Sequence, residues 1–288
     1  MRIGLLVSGN LGETVLQHLL KSTCELVFVF TDKNSNSIIE ICNEKKIALF
    51  IGNPRSERCT DFIKDKPIDI LISVNYLFII EKELINHPEI LAFNIHGSLL
   101  PKYRGRTPHV WAIINNEKET GVTAHLIDEK CDTGDIIYQV KIPIESNDTG
   151  ATLLEKYKNS YVPIIDKVLG SITTSKIVKT IPQNNDIASF FGKRTPEDGQ
   201  INWNWQRERI RNWVRAQAYP YPGAFTLIDG EKVVIDEVKF SDLGFTSDMP
   251  NGLILQEEPL IVKSPNGSIE ITRIRIGKEY CTKGSKFN

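Results

Sequence analysis

The sequence predicts an α/β domain with a parallel-rich, Rossmann-like sheet, followed by a small, mainly β domain of the OB-like barrel type. Three observations lead to this prediction. Short apolar runs alternate with segments of helical periodicity as far as residue 169, and a glycine turn follows the first run. Beyond residue 193, Pro and Gly breakers precede several short β-like segments with Gly or Asp turns. The predicted boundaries are 1–180 for the first domain, 181–200 for a linker and 201–288 for the second domain.

The first domain is predicted to open as a strand, a glycine turn and a helix. The run Arg2–Ser8 is rich in Ile, Leu and Val, and the segment after the glycines carries apolar residues at helical spacing. Gly9 and Gly12 permit a tight turn, which either serves the fold alone or holds an anion at the helix N-terminus. The full dinucleotide fingerprint is absent, so a nicotinamide cofactor is not expected.

Further strands and helices alternate along the first domain. The predicted strands are Glu25–Thr31, Ala48–Ile51, Ile68–Val74, Leu91–His96, Thr120–Ile127 and Ile136–Ile142. The predicted helices are Ile38–Lys46, Glu57–Lys64, Pro108–Asn116 and Thr149–Leu169. Alternation of this kind is typical of a parallel sheet covered on both faces, and such sheets bind ligands at the carboxyl ends of their strands.

The second domain is predicted to combine one helix with several short strands. The predicted elements are the helix Gln206–Gln217 and the strands Lys232–Phe240, Gly252–Gln256, Leu260–Lys263 and Ile269–Ile276. Trp203, Trp205 and Trp213 are expected to be buried anchors of this domain, with a second ligand or a dimer interface as the alternatives.

The composition is that of an ordinary globular protein. The chain is 41% hydrophobic and 25% charged, and its net charge of -1 provides no general attraction for nucleic acid or an anionic membrane. The 5 cysteines lack disulfide or zinc-site spacing and are expected to be reduced thiols. The N-terminal apolar run is too short for a signal peptide and no segment is long enough to span a bilayer, so a cytoplasmic protein is expected.

Leu91–Gln139 concentrates the polar groups that suggest chemistry. Asn94 and His96 close an apolar run, a loop rich in Gly, Ser, Pro and Arg follows, and Asp128 and Asp132 lie in a later acidic turn. Polar groups at the end of a buried strand favour catalysis over packing, although a buried Asn and His satisfied by the backbone would give the same pattern. His87 is expected to be a surface turn residue, and His18, His109 and His125 are expected to be packed or solvated.

The pattern also resembles a known family. Asn94, His96, the segment HGSLLPKYRG and Asp132 after a TGVTAH strand are similar to the folate-dependent formyltransferases, which transfer a formyl group from 10-formyl-tetrahydrofolate to an amine. The segments RTPEDGQINW and AYPYPGAFT resemble the linker and C-terminal domain of methionyl-tRNA formyltransferases and amino-sugar formyltransferases. The resemblance implies a formyltransferase catalytic domain, with 10-formyl-tetrahydrofolate as co-substrate and no metal.

The resemblance implies that Asn94, His96 and Asp132 are catalytic. An Asn amide can donate a hydrogen bond to the tetrahedral oxyanion, and a His exchanges protons near neutral pH. Asn94 and His96 are two residues apart at a strand end, so their side chains are expected on the same side. Asp132 is expected to orient His96 and raise its basicity.

The resemblance also implies ligand contacts. The expected cofactor-binding residues are Phe78, Ile79, Ile80, Arg106, Asp128 and Asp132. The expected substrate-binding residues are Ser8, Gly9, Asn10, Asn75, Tyr76 and Lys102. Two other interpretations remain open. Residues 75–80 can begin a helix that packs on the sheet, with or without a cofactor contact, and Lys102, Arg104 and Arg106 can instead form a solvated basic loop.

The acceptor amine is predicted to belong to a nucleotide-linked sugar, such as a dTDP-4-amino-4,6-dideoxyhexose used for surface polysaccharide. Methionyl-tRNA is the alternative. A tRNA-binding protein is expected to carry a basic surface and usually a long basic loop after the second strand, whereas this chain is slightly acidic and its loop after the second strand is short. Bifunctional relatives carry an added dehydrogenase domain, for which this chain is expected to have no room. A non-catalytic binding protein is a third hypothesis. No nucleic acid or membrane partner is expected, and the sequence leaves open whether the chain forms a homodimer.

Overall fold

The computed structural model describes residues 1–55, 57–175 and 178–288. These residues form two compact units, each built from several stretches of chain. The first unit comprises Met1–Gly105, Gly121–Ile142 and Lys156–Phe190. The second comprises Arg106–Thr120, Pro143–Glu155 and Phe191–Asn288. The domain boundaries predicted from the sequence stay a prediction.

Strands and helices alternate through the first 175 residues. The strands are β1 (Arg2–Val7), β2 (Glu25–Thr31), β3 (Ala48–Ile51), β4 (Ile70–Val74), β5 (Leu91–His96), β6 (Arg104–Gly105), β7 (Glu119–Leu126) and β8 (Ile136–Pro143). The helices are α1 (Gly9–Leu19), α2 (Asn36–Glu44), α3 (Glu57–Ile63), α4 (Lys82–Ile85), α5 (Pro108–Ile114) and α6 (Gly150–Ser175).

One seven-stranded sheet organises the first unit, in the order β3-β2-β1-β4-β5-β7-β8. Strands β1 to β5 pair in parallel, whereas β7 runs antiparallel to β5. Because parallel strands end at the same edge, the residues that follow β1, β4 and β5 lie side by side. This edge holds most of the residues that the sequence analysis selected.

An aromatic cluster anchors the parallel part of the sheet. The Phe28 and Phe30 rings lie 5.4 Å apart, and the Phe30 ring stacks on Phe50 at 4.7 Å. All three residues are buried, together with Ile63 of α3 and Leu84 of α4. Burial of large aromatic side chains supplies much of the stabilisation of such a core.

The second unit holds a five-stranded antiparallel sheet and one long helix. The elements that follow α6 along the chain are β9 (Phe190–Phe191), which pairs with β6, and then α7 (Arg207–Ala216), β10 (Ala224–Ile228), β11 (Glu231–Ser241), β12 (Ile254–Gln256), β13 (Ile261–Ser264) and β14 (Gly267–Ile276). The strand order β10-β11-β14-β13-β12 forms an antiparallel half-barrel. The predicted fold class, an α/β domain followed by a small β domain, is therefore confirmed.

Three details differ from the sequence-based expectations. Residues 75–80 do not begin a helix, because α4 spans only Lys82–Ile85. Helix α6 continues six residues beyond Leu169 and accommodates Pro163 in its interior. The strand β10 was not predicted, because its AFTLI run follows a Pro- and Gly-rich segment that is typical of a loop. Among the described residues, no helix is long and apolar enough to cross a membrane.

Candidate active site

Strand β5 places Asn94 and His96 next to β7. Asn94 pairs with His125 and His96 pairs with Thr123 across the antiparallel ladder. The Asn94 amide nitrogen lies 3.1 Å from His125 Nε2. His96 and His125 are buried, so both imidazoles work in a low-dielectric setting. The expectation that Asn94 and His96 face the same side agrees with this placement.

Asp132 faces both imidazoles. Its Oδ1 atom lies 3.6 Å from His96 Nδ1 and 3.6 Å from His125 Nε2. Its Oδ2 atom accepts a hydrogen bond of 2.9 Å from the Gly105 amide. The four side chains of Asn94, His96, His125 and Asp132 therefore form one polar cluster within the first unit.

The acidic turn that carries Asp132 is fixed at several points. Asp132 adopts a left-handed conformation with φ 57°, which Asp tolerates better than most residues. Gln183 donates hydrogen bonds to the carbonyls of Asp132 and Gly134. A Cβ atom at Gly134 would lie 1.9 Å from the Leu126 carbonyl oxygen, so only glycine fits there. The position of the carboxylate is thus built into the turn.

Hydrogen-bond partners assign the proton on each imidazole. His96 Nε2 lies 2.8 Å from the Tyr103 carbonyl oxygen, and His125 Nδ1 lies 2.8 Å from the Leu126 carbonyl oxygen. A carbonyl can only accept, so both of these nitrogens carry hydrogen. In the neutral rings, His96 Nδ1 and His125 Nε2 hold the lone pairs. The His96 lone pair faces Asp132 and can accept a proton, whereas the His125 lone pair lies 3.1 Å from the Asn94 amide nitrogen.

The pKa values of the cluster are shifted by burial and by opposite charge. Burial lowers the pKa of His96 below its usual value, and the Asp132 carboxylate opposes that change without reversing it. For Asp132, burial acts to raise the pKa, but His96, His125 and the Gly105 amide outweigh it and hold the pKa well below its usual range. His96 is therefore a neutral base and Asp132 a carboxylate at neutral pH.

The loop after β5 is held by buried polar contacts. Arg104 is 2% exposed, and its guanidinium donates to the side-chain oxygens of Gln183 and Asn185. Because Arg104 is buried, the solvated-loop interpretation is wrong for this residue. Lys102 is exposed, and so is Arg106, which belongs to the second unit.

The residues predicted to bind substrate lie mostly after β1 and β4. Ser8 is 1% exposed, whereas Gly9, Asn10 and Asn75 are exposed. The Asn75 amide donates to the Ser8 carbonyl at 3.0 Å, so these two strand ends touch. Tyr76 is half-buried, and its hydroxyl lies 3.4 Å from the Gly52 carbonyl oxygen.

The segment predicted to border the cofactor is neither helix nor strand and is partly exposed. Ile79 is 60% exposed, while Phe78 and Ile80 are half-buried. Asp128 is exposed and accepts a 2.7 Å hydrogen bond from Thr133, which closes the acidic turn. The structure therefore brings Asn94, His96 and Asp132 together, and it places the other predicted ligand contacts at the strand ends or in the turn and loop.

The sequence analysis missed three contributors to this cluster. His125 was expected to be packed or solvated, yet it bonds to Asn94 and faces Asp132. Gln183 lies in the predicted linker but holds the acidic turn. Tyr103 contributes through its backbone carbonyl, which no side-chain pattern reveals. The alternation in TGVTAH was the one available signal, since it predicts a strand that can pair with β5.

No group of three or more metal-ligating side chains occurs among the residues that the structure describes. Cys131 is exposed, and its thiol lies 3.3 Å from Asp132 Oδ2.

Comparison with known proteins assigns the family. A family model described as formyl transferase matches residues 1–169, and one described as formyl transferase, C-terminal domain, matches residues 193–288. The chain belongs to the formyl transferase family. The predicted resemblance is thereby confirmed, together with the folate-dependent formyl-transfer class of enzyme.

Sequence and structure relatives agree with this assignment. The chain is 36% identical over 259 residues to the bifunctional polymyxin resistance protein ArnA of Wigglesworthia glossinidia brevipalpis, a match that covers 90% of this chain and 38% of the relative. The crystal structure of WlaRD, a sugar 3N-formyl transferase in the presence of dTDP and 5-N-formyl-THF, is 25% identical with a TM-score of 0.69, covering 94% of this chain and 97% of that one. An N-formyltransferase from Helicobacter canadensis, in complex with folinic acid and dTDP-3-aminofucose, shares the fold at 22% identity and a TM-score of 0.72, covering 93% and 98%.

Proposed function

We propose that this chain transfers the formyl group of 10-formyl-tetrahydrofolate to the amine of a nucleotide-linked amino sugar. The observation that carries the proposal is the convergence of His96 Nδ1 and His125 Nε2 on the Asp132 carboxylate, with the Asn94 amide held against His125 Nε2. An amine that attacks a formyl carbon must lose a proton, and the developing oxyanion needs a hydrogen-bond donor. The cluster offers a group for each task.

His96 is assigned as the proton acceptor. Its Nε2–H is held by the Tyr103 carbonyl, so an incoming proton binds at Nδ1. The resulting imidazolium lies 3.6 Å from the Asp132 carboxylate, which stabilises the new positive charge. Burial keeps the resting imidazole neutral at pH 7, as a base must be before it accepts a proton.

Asn94 is assigned as the oxyanion donor. His125 Nε2 carries a lone pair, so it accepts one hydrogen of the Asn94 amide and fixes which side of that amide carries nitrogen. The second amide hydrogen can then point to the reacting oxygen. A donor fixed before the reaction contributes about 3 kcal/mol to the stability of a transition state.

The edge of the sheet fits a folate ligand. The bound co-substrate supplies the formyl group, and its pterin needs an apolar wall together with backbone hydrogen bonds. Phe78, Ile79 and Ile80 offer apolar surface, and these three residues make no backbone hydrogen bond within the described part of the chain. We assign them to the pterin, with Arg106 and Asp128 as further cofactor contacts.

The acceptor is proposed to be a dTDP-linked amino sugar such as dTDP-4-amino-4,6-dideoxyglucose. WlaRD and the Helicobacter canadensis enzyme are described with dTDP or a dTDP-amino sugar, which supports this class. Ser8, Gly9, Asn10, Asn75 and Lys102, with Tyr76, are assigned to this substrate. The same proposal includes a cytoplasmic location, a homodimer and a role in surface polysaccharide synthesis.

A formyl-transfer assay tests the proposal. Purified protein is supplied with 10-formyl-tetrahydrofolate and, in separate reactions, with dTDP- and UDP-linked amino sugars or with charged initiator methionyl-tRNA. Turnover with an amino sugar and none with the tRNA is the expected result. Turnover with the tRNA alone would refute the assigned acceptor while leaving the formyl-transfer chemistry intact.

A substitution separates an enzyme from a binding protein on the same scaffold. His96→Ala is expected to abolish formyl transfer while folate binding, measured by calorimetry, stays within a few-fold of the unmodified protein. His18→Ala is the matched control, because His18 bonds to Asp166 at 2.7 Å and does not contact the cluster. Full turnover by the His96→Ala protein would contradict the assigned base.

A further inference from the structure

The second unit contains a cleft of about 680 Å³ that the proposed reaction does not use. The buried residues Trp203 and Phe287 are among those that line it, and their rings stack with centroids 5.1 Å apart. Its walls carry the amide side chains of Gln200, Asn202 and Asn204. A volume of this size is within the range that holds nucleotide-sized ligands.

A buried lysine fixes the orientation of the neighbouring amides. Lys263 is 5% exposed, and its ammonium donates to Asn251 Oδ1 at 2.7 Å. An ammonium group can only donate, so the Asn251 oxygen must face Lys263 and the Asn251 nitrogen must face away. That nitrogen donates to Asn204 Oδ1 at 2.9 Å.

The same reasoning continues along the cleft wall. Because the Asn204 side-chain oxygen accepts from Asn251, the free end of the Asn204 amide is its nitrogen. The Asn202 oxygen accepts the Asn204 backbone N–H at 2.9 Å, so Asn202 also presents its nitrogen. Within the described chain, neither of these two side-chain nitrogens has a hydrogen-bond partner. The wall is therefore rich in donors.

The charged side chains at the cleft are positive. Lys286 lines it with an exposed ammonium that has no partner among the described residues, and Lys263 adds a second positive charge behind Asn251. No Asp or Glu side chain is among the lining residues of the described chain. The lining also includes Asn288, whose carbonyl oxygen accepts a hydrogen bond from the Thr226 hydroxyl at 3.1 Å. Amide donors together with positively charged side chains suit an oxyanion, and phosphate offers the most acceptor oxygens.

We infer that this cleft binds a diphosphate group, with the amides of Asn202 and Asn204 and the Lys286 ammonium as its donors. The diphosphate is either free or part of a nucleotide-linked sugar, since both present the same oxygens. The inference does not rest on the proposed function, because the cleft lies in the second unit and includes none of the residues assigned to formyl transfer.

Calorimetric titration of the full chain tests the site. Inorganic pyrophosphate is titrated in one series and dTDP-glucose, which lacks an amine, in another. Asn204→Asp keeps the shape of the side chain but replaces the donor by a carboxylate, and it is expected to weaken cleft binding at least about tenfold. Lys286→Gln is expected to weaken it by about tenfold as well.

Two control variants make the same two kinds of substitution at residues that do not line the cleft. Asn53→Asp adds a negative charge and keeps its oxygen as the acceptor of the Arg55 N–H. Lys283→Gln removes an exposed ammonium three residues from Lys286 that does not line the cleft. Both controls are expected to bind as the unmodified chain does, and the melting temperature of each variant shows that it is folded.

The outcomes are decisive in each series. Saturable pyrophosphate binding that Asn204→Asp weakens supports a free diphosphate ligand. Binding of dTDP-glucose alone, weakened by the same variant, supports the nucleotide-linked source. An absence of saturable binding in both series, or binding that neither Asn204→Asp nor Lys286→Gln alters, would overturn the inference. Formyl transfer by the Asn204→Asp protein is measured in parallel, so failure of this site is distinguishable from failure of the proposed reaction.

Discussion

Replacing Asp132 by Asn isolates the electrostatic part of the proposed mechanism. The amide keeps the shape of the carboxylate and still offers an oxygen to the Gly105 N–H. It removes the negative charge that lies 3.6 Å from His96 Nδ1. Two unit charges at that separation interact by about 4–5 kcal/mol at an effective dielectric constant of about 20. If the His96 imidazolium forms in the transition state, this loss corresponds to a decrease of about 10³-fold in kcat.

The assay is steady-state formyl transfer with the amino-sugar acceptor proposed above. The Asp132→Asn protein is expected to lose kcat with little change in KM for the amino sugar, because the carboxylate acts on the proton and not on the sugar. Proton NMR titration is expected to show a His96 pKa that falls further below its usual value, since the opposing charge is gone. Asp135→Asn, in the same turn but bonded to Thr180, is the matched control. A kcat within tenfold of the unmodified enzyme would refute the reasoning.

Three further predictions follow from the same structure. His125→Gln frees the Asn94 amide, so kcat is expected to fall about 10- to 100-fold in the same assay; an unchanged kcat would contradict the orienting role of His125. Gly134→Ala places a Cβ against the Leu126 carbonyl and is expected to lower the free energy of unfolding by about 2–3 kcal/mol in urea titrations. Gly170→Ala in helix α6, with open space around it, is expected to raise the free energy of unfolding by about 0.5–1 kcal/mol. Equal effects of the two substitutions would contradict the packing argument. Burial lowers the pKa of His109 to about 4, so between about pH 6.5 and pH 4 the unfolded chain binds more protons than the folded chain. Between pH 7 and pH 5 the unmodified protein is therefore expected to lose about 2 kcal/mol more stability than His109→Gln.

Local patterns were enough to predict the elements that carry the site. The apolar run that ends in Asn94 and His96 is strand β5, and the alternation in TGVTAH is most of β7. Both segments have the composition and period that a strand requires, and their packing agrees with that preference. The bounds of β3 were predicted without error for the same reason.

Contacts between distant segments could not be predicted. Gln183 lies 51 residues after Asp132 and 79 after Arg104, and it bonds to both. Its neighbourhood has no strong helical or strand period, so the sequence indicated only a linker. Arg104 bonds to side-chain amides and not to carboxylates, so no pairing of opposite charges in the sequence indicates that it is buried. These polar contacts depend on the tertiary fold, which one sequence does not determine by periodicity alone.

The register between β5 and β7 explains why the site needs this fold and not only these residues. Side chains along a strand alternate in direction, so a slip of one residue would turn His125 away from Asn94 and present Ala124 or Leu126 in its place. Thr123 opposes such a slip: its hydroxyl donates to the Ser98 carbonyl at 2.6 Å and accepts from the Leu100 amide. The loop that begins after His96 is thereby tied to the strand that carries His125. The polar contacts of the buried Thr123 thus help to hold the two histidines 3.6 Å from the Asp132 carboxylate, where its charge stabilises a proton on His96.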